Sequence, residues 1–221
     1  MPESTADSFN TPTGVTGVAR VWAREGSFGT EFAEVRLGGG RLSASGVAIG
    51  TDPEPYRLDY QLTTVDEYVT GRLTMRAEGQ GWRRAIVLER APSGAWACRA
   101  EAQGTGDRPP PGGDLTTLAG ALDCDLGLSP LTNSMPVLRH RLHEAGGPVD
   151  FLVAWVSVPD LAVRPSRQRY TFVRREPNAR IVRFESLDAT FAADIAFDRH
   201  GVVLDYPGIA RHVPEPTAPR A

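Results

Sequence analysis

The sequence predicts an all-β protein with minor helix: a long, strongly curved antiparallel sheet forming an open half-barrel. Three observations carry this. Short segments of alternating apolar and polar residues recur along nearly the whole chain, the period of strands with one buried face. Tight Gly- and Pro-containing turns separate them at short spacing, which indicates an antiparallel meander. No stretch keeps a helical period long enough for a βαβ crossover. About fourteen strands emerge. So wide a sheet cannot stay flat, because twist accumulates until it curls or splits. A curled sheet has a concave face, which holds either side chains or a ligand.

In chain order, residues 1–14 are polar and read as a flexible tail. Residues 18–24 and 31–37 are the first two strands, with Val35 and Leu37 on the opposite side from Phe32. Gly38, Gly39 and Gly40 make a hairpin turn without the spacing of a dinucleotide-binding loop. Residues 42–49 form a third strand, interrupted at Gly46. Residues 56–62 set Tyr56, Leu58, Tyr60 and Leu62 on one face, with Arg57, Asp59 and Gln61 on the other. Residues 68–76, 82–90 and 95–102 continue the pattern. Residues 103–114, rich in Pro and Gly, break it.

The second half begins with a short strand at 122–126, a turn framed by Pro130 and Pro136, and a strand or helical turn at 137–143. Residues 149–158 are apolar on both faces and read as a central strand. Residues 167–174 place Tyr170 and Phe172 on one side and arginines on the other. Residues 181–185 pair next; Phe191, Ala193, Ile195 and Phe197 form an apolar side, and Gly201 supplies a positive-φ hairpin position. One domain over 15–213 is expected, as meander halves 15–102 and 115–213 joined by the Pro/Gly-rich excursion, with a second flexible tail at 214–221.

Composition narrows the function. The 221 residues are 41% hydrophobic, enough for a core, and carry a formal charge of −3, which predicts no bulk attraction to nucleic acid or anionic membrane. All 24 basic residues are Arg. Without Lys there is neither a Schiff-base lysine nor a P-loop lysine. Cys98 and Cys124 make no disulfide framework or zinc site and read as free, buried thiols. The N-terminus lacks the charged and apolar regions of a signal peptide, and no apolar run approaches a membrane span. The expected location is the cytoplasm, with no integral membrane association.

Polar groups gather on irregular backbone over residues 121–142, where sites tend to lie. Asp123 and Asp125 alternate, so on a strand both carboxylates share a face and could hold a divalent ion; bonds to loop amides or to Arg139 are the simpler expectation. His140 and His143 have metal-like spacing only on a helix and lack a third ligand. Thr132, Asn133 and Ser134 suit a fixed turn, with Asn133 able to offer donors to a sugar. Ser129 and Ser134 show no strand–turn–helix context for a nucleophile. Arg167 and Arg169 share one face of a strand expected near Arg139, where guanidinium forks could anchor a carboxylate or phosphate.

Three segments, "LDCDLGLSPLTNSMPVLRH", "VPDLAVRPSRQRYTF" and "GVVLDYPGIARHV", resemble the signatures of a bacterial family labelled "putative glycolipid-binding", formerly a domain of unknown function. The resemblance covers the second half well and the first half loosely, through "RVWAREGSFGTEFAEVRL" and "YRLDYQL". Asp123, Asp125, Asn133, Arg139, Gln168, Arg169, Tyr170 and Tyr206 match the family's pattern; Leu138 replaces one of its paired arginines. The resemblance implies a fold similar to lipoprotein-carrier half-barrels and an apolar cargo.

The expected function is non-catalytic binding of an amphipathic small molecule, a glycolipid or other lipid-like ligand, in the concave face. Asp123, Asp125, Asn133, Arg139, Gln168, Arg169, Tyr170 and Tyr206 are the ligand-binding candidates, with no catalytic residues, metal or cofactor. The alternative is a small hydrolase or isomerase acting on a carbohydrate or ester, with Asp123 or Asp125 as acid/base. A homodimer through an exposed sheet edge is a further option.

Overall fold

The computed structural model describes residues 14–104 and 108–214; most of both predicted tails and the centre of the Pro/Gly-rich excursion lie outside the described residues. The first half is a seven-strand meander: β1 (Thr16–Arg24), β2 (Gly29–Gly38), β3 (Arg41–Gly50), β4 (Tyr56–Thr64), β5 (Thr70–Gly79), β6 (Trp82–Arg90) and β7 (Trp96–Gly104). The second half contains β8 (Asp123–Leu126), α1 (Ser134–Arg139), β9 (Val149–Val156), β10 (Val163–Arg175), β11 (Arg180–Ser186), β12 (Ala192–Phe197), β13 (Val203–Asp205) and β14 (Ala210–His212). The alternating burial of β2, in which Ala33, Val35 and Leu37 are buried and Phe32 is not, is the pattern read from the sequence.

The hydrogen-bonded ladder is not continuous. It divides into an eight-stranded sheet, ordered β14-β1-β2-β3-β4-β5-β6-β7, and a six-stranded sheet, ordered β13-β12-β11-β10-β9-β8, which curls as a half-barrel. The chain leaves the first ladder after β7, where Pro109, Pro110 and Pro111 cannot donate to a neighbouring strand. The last strand returns to the first sheet, pairing Trp22 with His212. One pair departs from the antiparallel expectation: β8 runs parallel to β9, with Asp123 opposite Val153 and Leu126 opposite Val156. The connection through α1 is long enough to bring the chain back to the end from which β8 started, as a parallel pair requires.

The inner face of the eight-stranded sheet is filled by protein. Trp22, Leu58, Leu62, Met75 and Leu88 pack against Leu126, Leu131, Met135 and Val156 of the central segment and second sheet. A second apolar cluster, including Phe151, Tyr170, Val182, Phe184 and Phe197, sits in the curl of the six-stranded sheet. The hollow expected on the concave face is therefore confined to the second sheet and its edges. At Gly46 the third strand is not interrupted. A Cβ there would lie 2.3 Å from Cζ of Tyr60, so the glycine makes room for the ring while β3 runs through. Among the described residues no helix is long and apolar enough to cross a membrane.

Candidate functional site

A cleft of about 720 Å³ opens where β8, β9, β10 and β11 meet the turn after β8. This lies within the range of roughly 300–1,000 Å³ usual for small-molecule sites. Leu128, Leu152, Trp155, Phe184, Phe191, Tyr206 and Ile209 give it an apolar wall; Asp125, Ser129, Asn133, Arg164, Ser166 and Gln168 give it a polar one. β10 lines the cleft along five consecutive residues, Arg164, Pro165, Ser166, Arg167 and Gln168, so both of its faces contribute at this edge.

The polar wall is a connected chain of hydrogen bonds. Thr132 Oγ1 donates to Asp125 Oδ1 at 2.7 Å and accepts from the backbone N–H of Leu126. Gln168 Nε2 donates to Asp125 Oδ2 at 2.7 Å. The Tyr170 hydroxyl donates to Asn133 Oδ1 at 2.7 Å and lies 3.1 Å from Gln168 Oε1. Asn133 Nδ2 donates to the carbonyl of Pro130. Burial raises the Asp125 carboxyl from its ordinary value to about 6, against the lowering effect of Thr132 and Gln168. The apolar wall is continuous with a run of edge-packed rings: Tyr170 to Phe184 at 5.3 Å and Phe184 to Tyr206 at 5.7 Å. At the other end the Arg164 guanidinium lies over the Trp155 ring, 4.2 Å from its centroid. Among the described residues, Arg164 has no carboxylate partner.

Of the eight sequence candidates, Asp125, Asn133, Gln168 and Tyr206 line this cleft, and Tyr170 stands directly behind it. The other three do not join them. Asp123 and Arg139 form a bidentate ion pair at 2.5 and 2.8 Å, with both side chains almost fully buried. Burial raises the Asp123 carboxyl, opposed by that guanidinium. Arg169 points away from Gln168 and Tyr170 and pairs with Asp150, whereas Arg167 pairs with Asp188 and both members of that pair line the cleft. The anion anchor expected from Arg139 and Arg169 is thus not assembled, because Asp150 engages Arg169 and Asp123 engages Arg139. The two carboxylates of β8 take separate partners, and no cluster of three or more His, Cys, Asp or Glu able to hold a metal occurs among the described residues. Arg164 was the residue missed: counting back by twos from Gln168 places it on the same face of β10, opposite Trp155 on β9.

Ser129 also needs correction. It sits between β8 and a helical segment in which a 3₁₀ turn (Leu131–Asn133) leads into α1. This is the strand–turn–helix setting that the sequence did not reveal. Leu128 before it adopts φ 67°. α1 has only six residues, with Pro136 in its first turn, so it carries no helical period to read.

Fold and cleft together define a half-barrel β-sheet protein with a small-molecule-sized cleft in the curl of its second sheet. The chain belongs to the family described as "Putative glycolipid-binding", whose profile matches residues 19–212. Its fold is similar to the crystal structure of a DUF1089 family protein from Pseudomonas aeruginosa, with TM-score 0.62 and 24% identity, covering 96% of this chain and 100% of that one. No curated protein matches the sequence.

Proposed function

We propose that the protein binds an amphipathic small molecule of glycolipid type in the cleft between Trp155 and Phe191. The observation that supports this reading is the division of one cleft into an apolar aromatic wall and a polar wall ending in Arg164. The apolar wall suits an acyl chain, for which about eight buried CH₂ groups contribute on the order of 6 kcal/mol. The polar wall suits a hydroxylated or anionic head group, because carboxylate, amide and guanidinium groups offer both acceptors and donors. The family's description points the same way.

Native mass spectrometry of the purified protein tests it. The expected result is a co-purifying amphiphile, or uptake of one from a panel of lipids and glycolipids, with occupancy lowered by Trp155→Ala and Arg164→Ala. A ligand-free spectrum with no uptake across the panel would overturn the proposal.

A further inference from the structure

We propose that Ser129 is a nucleophile with Glu31 as its general base, and that the cleft hydrolyses carboxylic esters. The choice of amphipathic esters as substrate rests on the binding reading above; the reactivity of Ser129 does not. The two residues lie 98 positions apart and meet where the two sheets face each other. Ser129 lines the cleft, and its Oγ donates to Glu31 Oε1 at 2.8 Å. The Tyr60 hydroxyl donates to the same oxygen at 2.6 Å. The backbone N–H of Leu131 reaches Ser129 Oγ at 3.3 Å, so this oxygen is held between a donor and a base. This is the nucleophile–base–orienting-group arrangement that activates a serine, here with a carboxylate in the place of an imidazole.

The setting is costly unless it has a use. Glu31 is 2% exposed and projects from β2 among Trp22 and Ala48 on neighbouring strands. An apolar side chain would fit this sheet interface without the cost of a buried carboxyl. Burial raises Glu31 from its ordinary value to about 7, opposed by Tyr60, Ser129 and Arg24, the last of which approaches from β1. Tyr56, from β4, is the remaining ionisable group coupled to it. A base balanced near neutrality is efficient in proton transfer. Leu128, a branched residue held at φ 67° immediately before the serine, adds the local strain that gathers at functional turns.

The steps balance. Ser129 Oγ attacks the ester carbonyl carbon and its proton passes to Glu31. The oxyanion develops in the cleft, whose polar wall includes the Arg164 cation. The ester C–O bond breaks and the alcohol leaves with the proton from Glu31. Water attacks the acyl-serine, gives a proton to Glu31, and Ser129 Oγ departs as the hydroxyl by taking that proton back. Ester and water become acid and alcohol, with nothing oxidised or reduced.

Diisopropyl fluorophosphate, which needs no acyl-chain pocket, is the probe. Intact-mass and peptide mapping should show one adduct, on Ser129, absent from Ser129→Ala. In the wild-type protein the labelling rate should rise with pH to a plateau through about 7. Glu31→Gln keeps an oxygen for both hydroxyls, so it should stay folded by circular dichroism and label about a hundred-fold more slowly. No adduct on Ser129 in the folded protein, or a rate with no pH dependence between 5 and 9, overturns the inference. Amphiphile uptake without labelling would refute the hydrolase and leave the binding reading standing. Labelling without uptake would support the dyad and refute the binding reading.

Discussion

Replacing Asp125 by asparagine separates the charge at the base of the cleft from its shape. Asp125 has an ordinary value of 3.8 and titrates near 6 in the folded protein, so the folded state holds the proton more tightly than the unfolded chain. Stability from this group is fully present below about pH 3.8, falls as pH rises through that window, and is lost above about 6. Each pH unit between the two values corresponds to about 1.4 kcal/mol, so ionised Asp125 costs the fold at most about 3 kcal/mol, less where cleft water reaches it. The neutral amide removes that cost. Its N–H group would face Gln168 Nε2, but the Gln168 amide can turn over. Gln168 Oε1 then accepts from the new amide and Nε2 donates to the Tyr170 oxygen, while the Tyr170 proton stays on Asn133. All donors and acceptors in the chain remain satisfied. Urea denaturation followed by tryptophan fluorescence at pH 4 and pH 7.5 measures the effect. Relative to wild type, Asp125→Asn should gain about 1–3 kcal/mol between those two conditions. Subtracting the wild-type curve cancels the similar contribution of Glu31. A difference that does not change with pH, or one that moves against the variant at pH 7.5, would refute the reasoning.

The two arginines grouped together by the sequence should part in their energetics. Arg139→Ala strands a buried Asp123 and should cost about 3–5 kcal/mol, whereas Arg169→Ala removes an exposed pair and should leave the melting temperature near wild type. Equal melting temperatures for the two variants would contradict the burial assignment. Gly46→Ala places a Cβ against the Tyr60 ring and should destabilise by about 1–3 kcal/mol; in a Tyr60→Leu background, which already lacks the hydroxyl that donates to Glu31, the further cost of Gly46→Ala should shrink. If Gly46→Ala melts like wild type, the ring does not lie over that glycine.

Local pattern made the strands legible, because one buried face imposes a two-residue period on each: β2, β4 and β12 could be read residue by residue. The turn at Gly201, with φ 77°, was legible for the same local reason. What escaped was non-local. Alternation states which side a residue takes but not what lies across from it, so Asp123 and Asp125 were grouped although they find Arg139 and Gln168 respectively. Alternation did separate Arg169 from Tyr170. The density of arginines from Arg167 to Arg183 still drew attention away from Arg164, a cation beside Pro165 whose ring partner Trp155 comes from another strand. The approach of Ser129 to Glu31 follows from the packing of two sheets and has no trace in any short-range pattern. The division of the ladder was likewise hidden, since Pro-rich excursions interrupt a sheet and separate two sheets with the same composition.

The indole proton of Trp155 offers the most direct test of the binding cleft. The Trp22 and Trp96 indoles donate to the carbonyls of Leu204 and Ala121, and neither ring lines the cleft, so their resonances serve as internal references. Titration with dodecyl maltoside below its micelle concentration, followed by ¹⁵N correlation spectra with Trp155→Phe used for assignment, should shift the Trp155 resonance saturably and leave those of Trp22 and Trp96 in place. A Trp155 resonance that stays fixed, or four indoles that drift together without saturation, would contradict an amphiphile seated in the cleft.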